Sequence, residues 1–210
     1  MYIRGLPVGT SREILDMKVT KAQAQANRAR IVETASALFR ERGYDGVGIA
    51  DLMAVAGFTH GGFYKHFASK ADLMAQAATC GFAQTATKAK GGEAAAFVKH
   101  YLSREHRDTR GDGCTMAALC ADAARQPDSI KTAFANGLES LLETLGNQFG
   151  TAGQSGRAGD ARARQIEVIA QAIGAIVLSR ACPDDAPLAD EILDACRAAI
   201  LTRLPSPPAV

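Results

Sequence analysis

Gly57 to Leu73 reads Gly-Phe-Thr-His-Gly-Gly-Phe-Tyr-Lys-His-Phe-Ala-Ser-Lys-Ala-Asp-Leu, and this stretch narrows the possible folds further than any other. Gly57 closes the preceding apolar run Ile49–Ala56, as a glycine able to take positive φ does at a helix end. Thr59 is a good N-cap for a short helix to follow. Phe63 and Phe67 stand four apart and so share one helical face. Tyr64, Lys65 and His66 project between and beside them, behind a tip kept slim by Gly61 and Gly62. Ser69 caps a further helix, with Asp72 in its first turn. An apolar back, a small-residue tip and flanking Tyr, His and Lys together suit a DNA major groove: the tip approaches base edges while the flanks hold phosphates.

Gly57, Thr59, Gly61, Phe63, Tyr64, His66, Phe67, Ser69, Lys70, Asp72 and Leu73 together make a pattern that resembles the DNA-binding domain of the TetR family of bacterial transcription regulators. The resemblance is close over about Ala26–Ala78; beyond that only the architecture carries over. One departure stands out. Where the family has Thr followed by Ser or Thr, hydroxyls that cap the second helix and touch phosphate, this chain has Val47 and Gly48, and glycine is a weaker cap. The resemblance implies a third helix in the major groove, with Tyr64, Lys65, His66 and Lys70 at the phosphate flanks. Thr59, His60, Gly61 and Gly62 then lie at or near base edges. It also implies a homodimer reading a palindromic double-stranded operator, most simply as a repressor released by a small-molecule effector.

Composition agrees with an all-α protein. The apolar share is 47% with 6% aromatic residues and no Trp, which favours Ala- and Leu-rich helix packing over a β-sandwich. No apolar run approaches the ~18–20 residues of a membrane span, and Met1–Met17 has no signal-peptide core, so a cytoplasmic protein is expected. Residues 1–73 carry ten Lys/Arg against seven Asp/Glu, and residues 74–210 fourteen against fifteen. A weakly basic head on a near-neutral body fits nucleic-acid contact by the head alone.

Taken in order, residues 1–21 read as a weakly ordered basic arm, within which Met17 opens a second plausible start. Residues 22–70 form the helix-turn-helix head, 71–204 the regulatory and dimerisation body, and 205–210 a tail. Lys18, Lys21, Arg28 and Arg30 put positive charge before and within the first helix, a match for phosphates or equally for a solvated helix end. Nine helices are expected: Ala22–Arg42, Ile49–Ala56, Thr59–Phe67, Lys70–Lys88, Glu93–Glu105, Cys114–Arg125, Asp128–Phe149, Ala161–Ala181 and Pro187–Leu204. Gly91-Gly92 and the Gly/Ser/Ala-rich Gly150–Asp160 are breaks.

The body holds no enzyme signature, no metal site and no cofactor motif; His100 and His106, six apart, are expected on different sides of one helix. The resemblance implies a ligand pocket among the fourth to seventh helices, where Phe82, Phe97, Tyr101, Cys114, Met116, Phe134 and Leu138 supply the expected lining. The apolar stripes of the last two helices supply the dimer face, with Ile169, Ile173, Ile176, Cys196 and Ile200 at its centre. Of the five cysteines, Cys114 is singled out by Gly-Asp-Gly-Cys-Thr at a helix start. A helix N-terminus favours its thiolate, and Arg107 and Arg110 add positive charge. An electrophile or oxidant sensor at Cys114 is therefore the alternative function, and a helical interaction module with a vestigial DNA head a further one.

Overall fold

The computed structural model describes residues 20–89, 93–148 and 158–204. The expected arm up to residue 19 (Lys18 included), the Gly91-Gly92 break, Phe149, the loop at 150–157 and the tail at 205–210 lie outside them. The elements are α1 (Lys21–Arg42), α2 (Ile49–Ala56), a 3-10 helix (His60–Lys65), α3 (Lys70–Ala89), α4 (Ala94–Tyr101), α5 (Arg104–Asp108), a 3-10 turn (Arg110–Asp112), α6 (Thr115–Ala123), α7 (Asp128–Gln148), α8 (Ala158–Ala181) and α9 (Pro187–Leu201). Among the described residues there is no strand, and no helix there is long and apolar enough to cross a membrane.

The head builds itself from local signals. Thr20 caps α1, its hydroxyl accepting from Gln23 N at 3.1 Å. Ile31, Ala35, Leu38 and Phe39 bury one stripe of α1, each large side chain contributing about 1.5–3 kcal/mol. Gly43 ends the helix at φ 75°, and Tyr44 folds back so that its ring meets Phe39 edge-on at 5.1 Å. Gly48 caps α2 through its backbone alone, and Val47, at the position of the absent hydroxyl, is buried. The expected third helix is a 3-10 segment, because a Gly-Gly pair gives an α-helix little to hold. Ser69 and Asp72 cap α3 reciprocally: Asp72 N donates to Ser69 Oγ and Ala68 N to the Asp72 carboxylate, both at 3.1 Å.

α3 carries the chain out of the head and packs along α7. Phe82 and Phe134 meet edge-on there at 5.2 Å. A Cβ on Gly137 would fall 2.3 Å from the Phe82 ring, so only glycine allows this approach. The expected helix at 93–105 is two helices. Leu102 leaves the helical region to bury itself, and Ser103 starts α5 by accepting from His106 N at 3.1 Å.

The break aims His106 inward. Its Nδ1–H donates to the Tyr101 carbonyl at 2.7 Å, and its Nε2 accepts from Cys114 N at 3.1 Å. The imidazole is thereby held neutral and ties α4 to the start of α6. Beside it, Arg107 donates to the Ser179 and Cys182 carbonyls at the end of α8, while Arg180 returns bonds to the Arg107 and His106 carbonyls. α5 and α8 are locked by charged donors on carbonyls that would otherwise be orphaned.

Two outcomes follow from this packing. Gly137→Ala should lower unfolding free energy by about 1–3 kcal/mol through overpacking, outweighing the ~1 kcal/mol that alanine gains in a helix; urea denaturation reads the sign, and a stabilised variant would show that α3 and α7 have room to part. Burial pushes the His106 pKa down to about 4, from 6.5. The neutral ring therefore stabilises the fold fully above about pH 6.5, and the contribution drains as pH falls toward 4. The stability difference between wild type and His106→Gln should shrink by about 2–3 kcal/mol from pH 7 to pH 4.5, measured by denaturant unfolding at both; a constant difference would mean that the ring protonates alike in both states.

Candidate nucleic-acid interface, cavity and exposed apolar face

The 3-10 helix is held from behind by Phe63 and Phe67, both buried with rings 5.4 Å apart. Arg28 lies over the Phe67 ring at 5.0 Å and donates to the His66 carbonyl at 3.4 Å; Arg30 lies over Phe58. These arginines brace the head rather than stand free. On the outer side Thr59, His60, Gly61, Tyr64 and Lys65 are exposed, while Gly62 and His66 are half-buried. A Cβ on Gly61 would meet nothing within 4 Å, so the backbone there is open to a partner. Tyr64 stands edge-on against Phe63 and is 65% exposed. Residues 59–70 contain no Asp or Glu, so the outward surface offers donors and cations without a competing carboxylate, as a phosphate-facing surface requires. Lys70 behaves differently from its expected role: its ammonium donates to the Tyr44 carbonyl at 2.6 Å and fastens α3 to the turn after α1. Val55 on α2 is exposed, an apolar outlier that helical periodicity did not flag.

The body holds a partly open cavity of about 30 Å³, room for about two water molecules. Of the seven expected pocket residues, Phe97, Tyr101 and Cys114 line it. Phe82 and Phe134 instead pair between α3 and α7, Met116 packs in the core, and Leu138 packs behind the wall residues Ile169, Phe97 and Leu141. The rest of the wall includes Thr85 on α3, Val98 on α4, Leu141 on α7 and Ala172 on α8. The Tyr101 hydroxyl is buried without a hydrogen-bond partner. Burial, and then the adjoining Cys114 thiol, push its pKa well up, so it stays protonated and available as a donor. Arg107, expected to face Cys114, is committed to α8. Because the chain breaks after Tyr101, the His100 and His106 rings come within 6.2 Å instead of parting; among the described residues, no group of three or more His, Cys, Asp or Glu side chains is placed to hold a metal.

The expected dimer stripe turns inward. Ile176 and Ile200 are 0% exposed and Ile169 is buried in the single chain; Ile169, Ile173 and Ile200 line the cavity, and Cys196 is half-buried. They close the monomer's own core, because α9 packs on that side of α8. The apolar face left outside is one step round the helix: Ile166, Ala170, Val177 and Leu178 on α8, with Leu188 at the start of α9, are all exposed. Gly174, on the same side, has open space where a Cβ would stand.

Residues 31–77 match the profile described as bacterial regulatory proteins, tetR family. Over 55 residues the chain is 44% identical to the HTH-type transcriptional regulator TtgR of Pseudomonas putida, a match that spans 26% of each protein; it thus covers about a quarter of that relative's length. Beyond the head the likeness is one of fold. The reduced form of E. coli NemR has a TM-score of 0.70 at 17% identity, covering 88% of this chain and 100% of NemR. AibR, solved in complex with isovaleryl coenzyme A and operator DNA, has a TM-score of 0.55 at 19% identity, covering 82% of this chain and 97% of that one. With that sequence signature on its head and that fold through its body, the chain belongs to the TetR family of bacterial transcriptional regulators.

Proposed function

We propose that this regulator is a homodimeric repressor that occupies a palindromic operator through residues 22–70 and leaves it when a small molecule enters the body, residues 71–204. The observation that carries the reading is the outward surface from Thr59 to Lys65, exposed, carboxylate-free and seated on two buried phenylalanines. Tyr64 and Lys65 fit phosphate contacts, and Thr59, His60 and the bare backbone of Gly61 fit base edges. The exposed apolar face of α8 and α9 supports a two-fold pairing of copies, which would set two heads on successive major grooves. The cavity supports an uncharged effector, since its lining includes no charged side chain. Release requires the effector to bind better to a body whose heads are wrongly spaced for DNA.

A second reading keeps the same scaffold and makes the effector a thiol-reactive electrophile or oxidant, on the strength of Cys114 in the cavity wall. Its sulfur is on a residue only 3% exposed, so the reagent must first enter the cavity.

Two measurements test the first reading. Lys65→Ala should weaken binding to operator and scrambled duplex alike by about 3–10-fold, and lower the salt slope by about one; Tyr64→Phe should weaken both with less effect on the slope. Unchanged affinities in fluorescence anisotropy at two salt concentrations would remove this surface from the interface. Val177→Glu places a charge on the exposed face, where the isolated chain tolerates it but an apolar interface does not. It should give a folded monomer by sedimentation with operator affinity reduced at least ten-fold; a Val177→Glu dimer would place the interface elsewhere.

A further inference from the structure

Arg40 lies in the head helix α1 but is buried, 5% exposed, against the body. Its guanidinium donates to acceptors on four segments: Ser36 Oγ of α1 at 2.6 Å, the Gly111 carbonyl of the 3-10 turn at 2.9 Å, Gln84 Oε1 of α3 at 3.3 Å and Thr115 Oγ1 of α6 at 3.5 Å. No carboxylate among the described residues forms an ion pair with it; its four partners are neutral. Gly81 makes the space, since a Cβ there would fall 2.1 Å from Thr115 Oγ1, 2.7 Å from Arg40 Nη1 and 2.9 Å from Ser36 Oγ.

Two of these partners adjoin the cavity. Thr115 follows Cys114, and Gln84 precedes Thr85; both Cys114 and Thr85 are cavity wall. α6 also touches the head at its other end, where Tyr44 N donates to Asp122 at 3.3 Å. Further toward the start of α1, along the same side, a groove of about 660 Å³ lined by α1, α3 and α7 separates α1 from α7. The head therefore meets the body through α3, the 3-10 turn and α6, the elements that converge on Arg40.

We propose that Arg40 is the positioning residue through which strain in the cavity wall reaches the DNA-binding head. The inference rests on the regulator reading above and adds the route. A cavity of about 30 Å³ admits an effector of any size only by moving its walls. Displacing the start of α6 or the middle of α3 pulls Thr115 or Gln84 away from a buried cation. An unsatisfied buried charge is strongly unfavourable, so α1 shifts to restore its bonds or the junction opens. Either response reorients the head relative to α3.

The test needs no effector. Val98→Phe enlarges a wall residue beyond what the cavity holds and stands in for occupancy. Operator is selected by the wild-type protein from a random duplex pool, and affinity is measured for wild type, Val98→Phe, Arg40→Gln and the double variant, with dimerisation and thermal unfolding followed in parallel. Val98→Phe should weaken operator binding about ten-fold when Arg40 is present and less than two-fold in the Arg40→Gln background. Equal losses in both backgrounds, which is what a merely structural arginine gives, overturn the proposal, as does a Val98→Phe protein with unchanged affinity. If either variant fails to fold, Val98→Leu and Arg40→Lys replace it with the same criteria. A wild-type protein that selects no sequence defeats the regulator reading itself, an outcome distinct from selection followed by additive losses.

Discussion

One apolar cluster runs without a seam from Ile31 in the head to Ile200 at the far end of the body. Everything else in the molecule is arranged on that continuity. Phe63 and Phe67 belong to it and present the outward surface of the 3-10 helix; Tyr101 and Cys114 belong to it and bound the cavity. A head that shared no core with its body would swing freely and report nothing about it. Here the two are close-packed, and close-packed interiors transmit displacement because they leave few voids to absorb it.

Polar groups buried within this core are held largely by carbonyls and other neutral partners, with Asp108 and Asp184 also pairing Arg107. Arg107 satisfies the last carbonyls of α8, Arg180 answers from α8 to α5, His106 joins Tyr101 to Cys114, and Arg40 gathers α1, α3, the 3-10 turn and α6. Each such group stabilises one arrangement and strongly disfavours its neighbours, since a buried donor left unpaired loses its hydration with no return. Burial lowers the pKa of Arg40 from the ordinary arginine value, a mark of the same desolvation. Such groups make a core specific as well as stable, and they lie where the head meets the body and where α6 begins.

The walls of the small cavity are buried and half-buried side chains in equal number. Phe97, Tyr101 and Leu102 come from α4 and the turn after it, Ile169 and Ile173 from α8, and Ile200 from α9. Ile169 and Ile173 close the monomer on the side of α8 next to its exposed apolar face. α8 thus has two apolar sides, one shaping the interior and one exposed.

The sequence by itself determined the head. Its signals are local: a stripe at helical spacing in α1, glycines at Gly43 and Gly57 that take φ 75° and 82°, the Ser69–Asp72 cap, and a phenylalanine pair four residues apart. The order of helices in the body was legible for the same reason. What only the tertiary structure decided depends on which neighbours a side chain meets. Periodicity marked both Ile166/Val177 and Ile169/Ile173/Ile176 as apolar, but which side faces inward is set by where α9 packs. Lys70 carries the charge of a phosphate ligand, yet the Tyr44 carbonyl lies within its reach. The break after Tyr101 is won by the burial of Leu102 and the Ser103 cap over a helical pattern that reads through. Arg40 looks like one more charge on a solvated helix until Gly81, Gly111 and Thr115, separated from it by 41 to 75 residues in the chain, close around it.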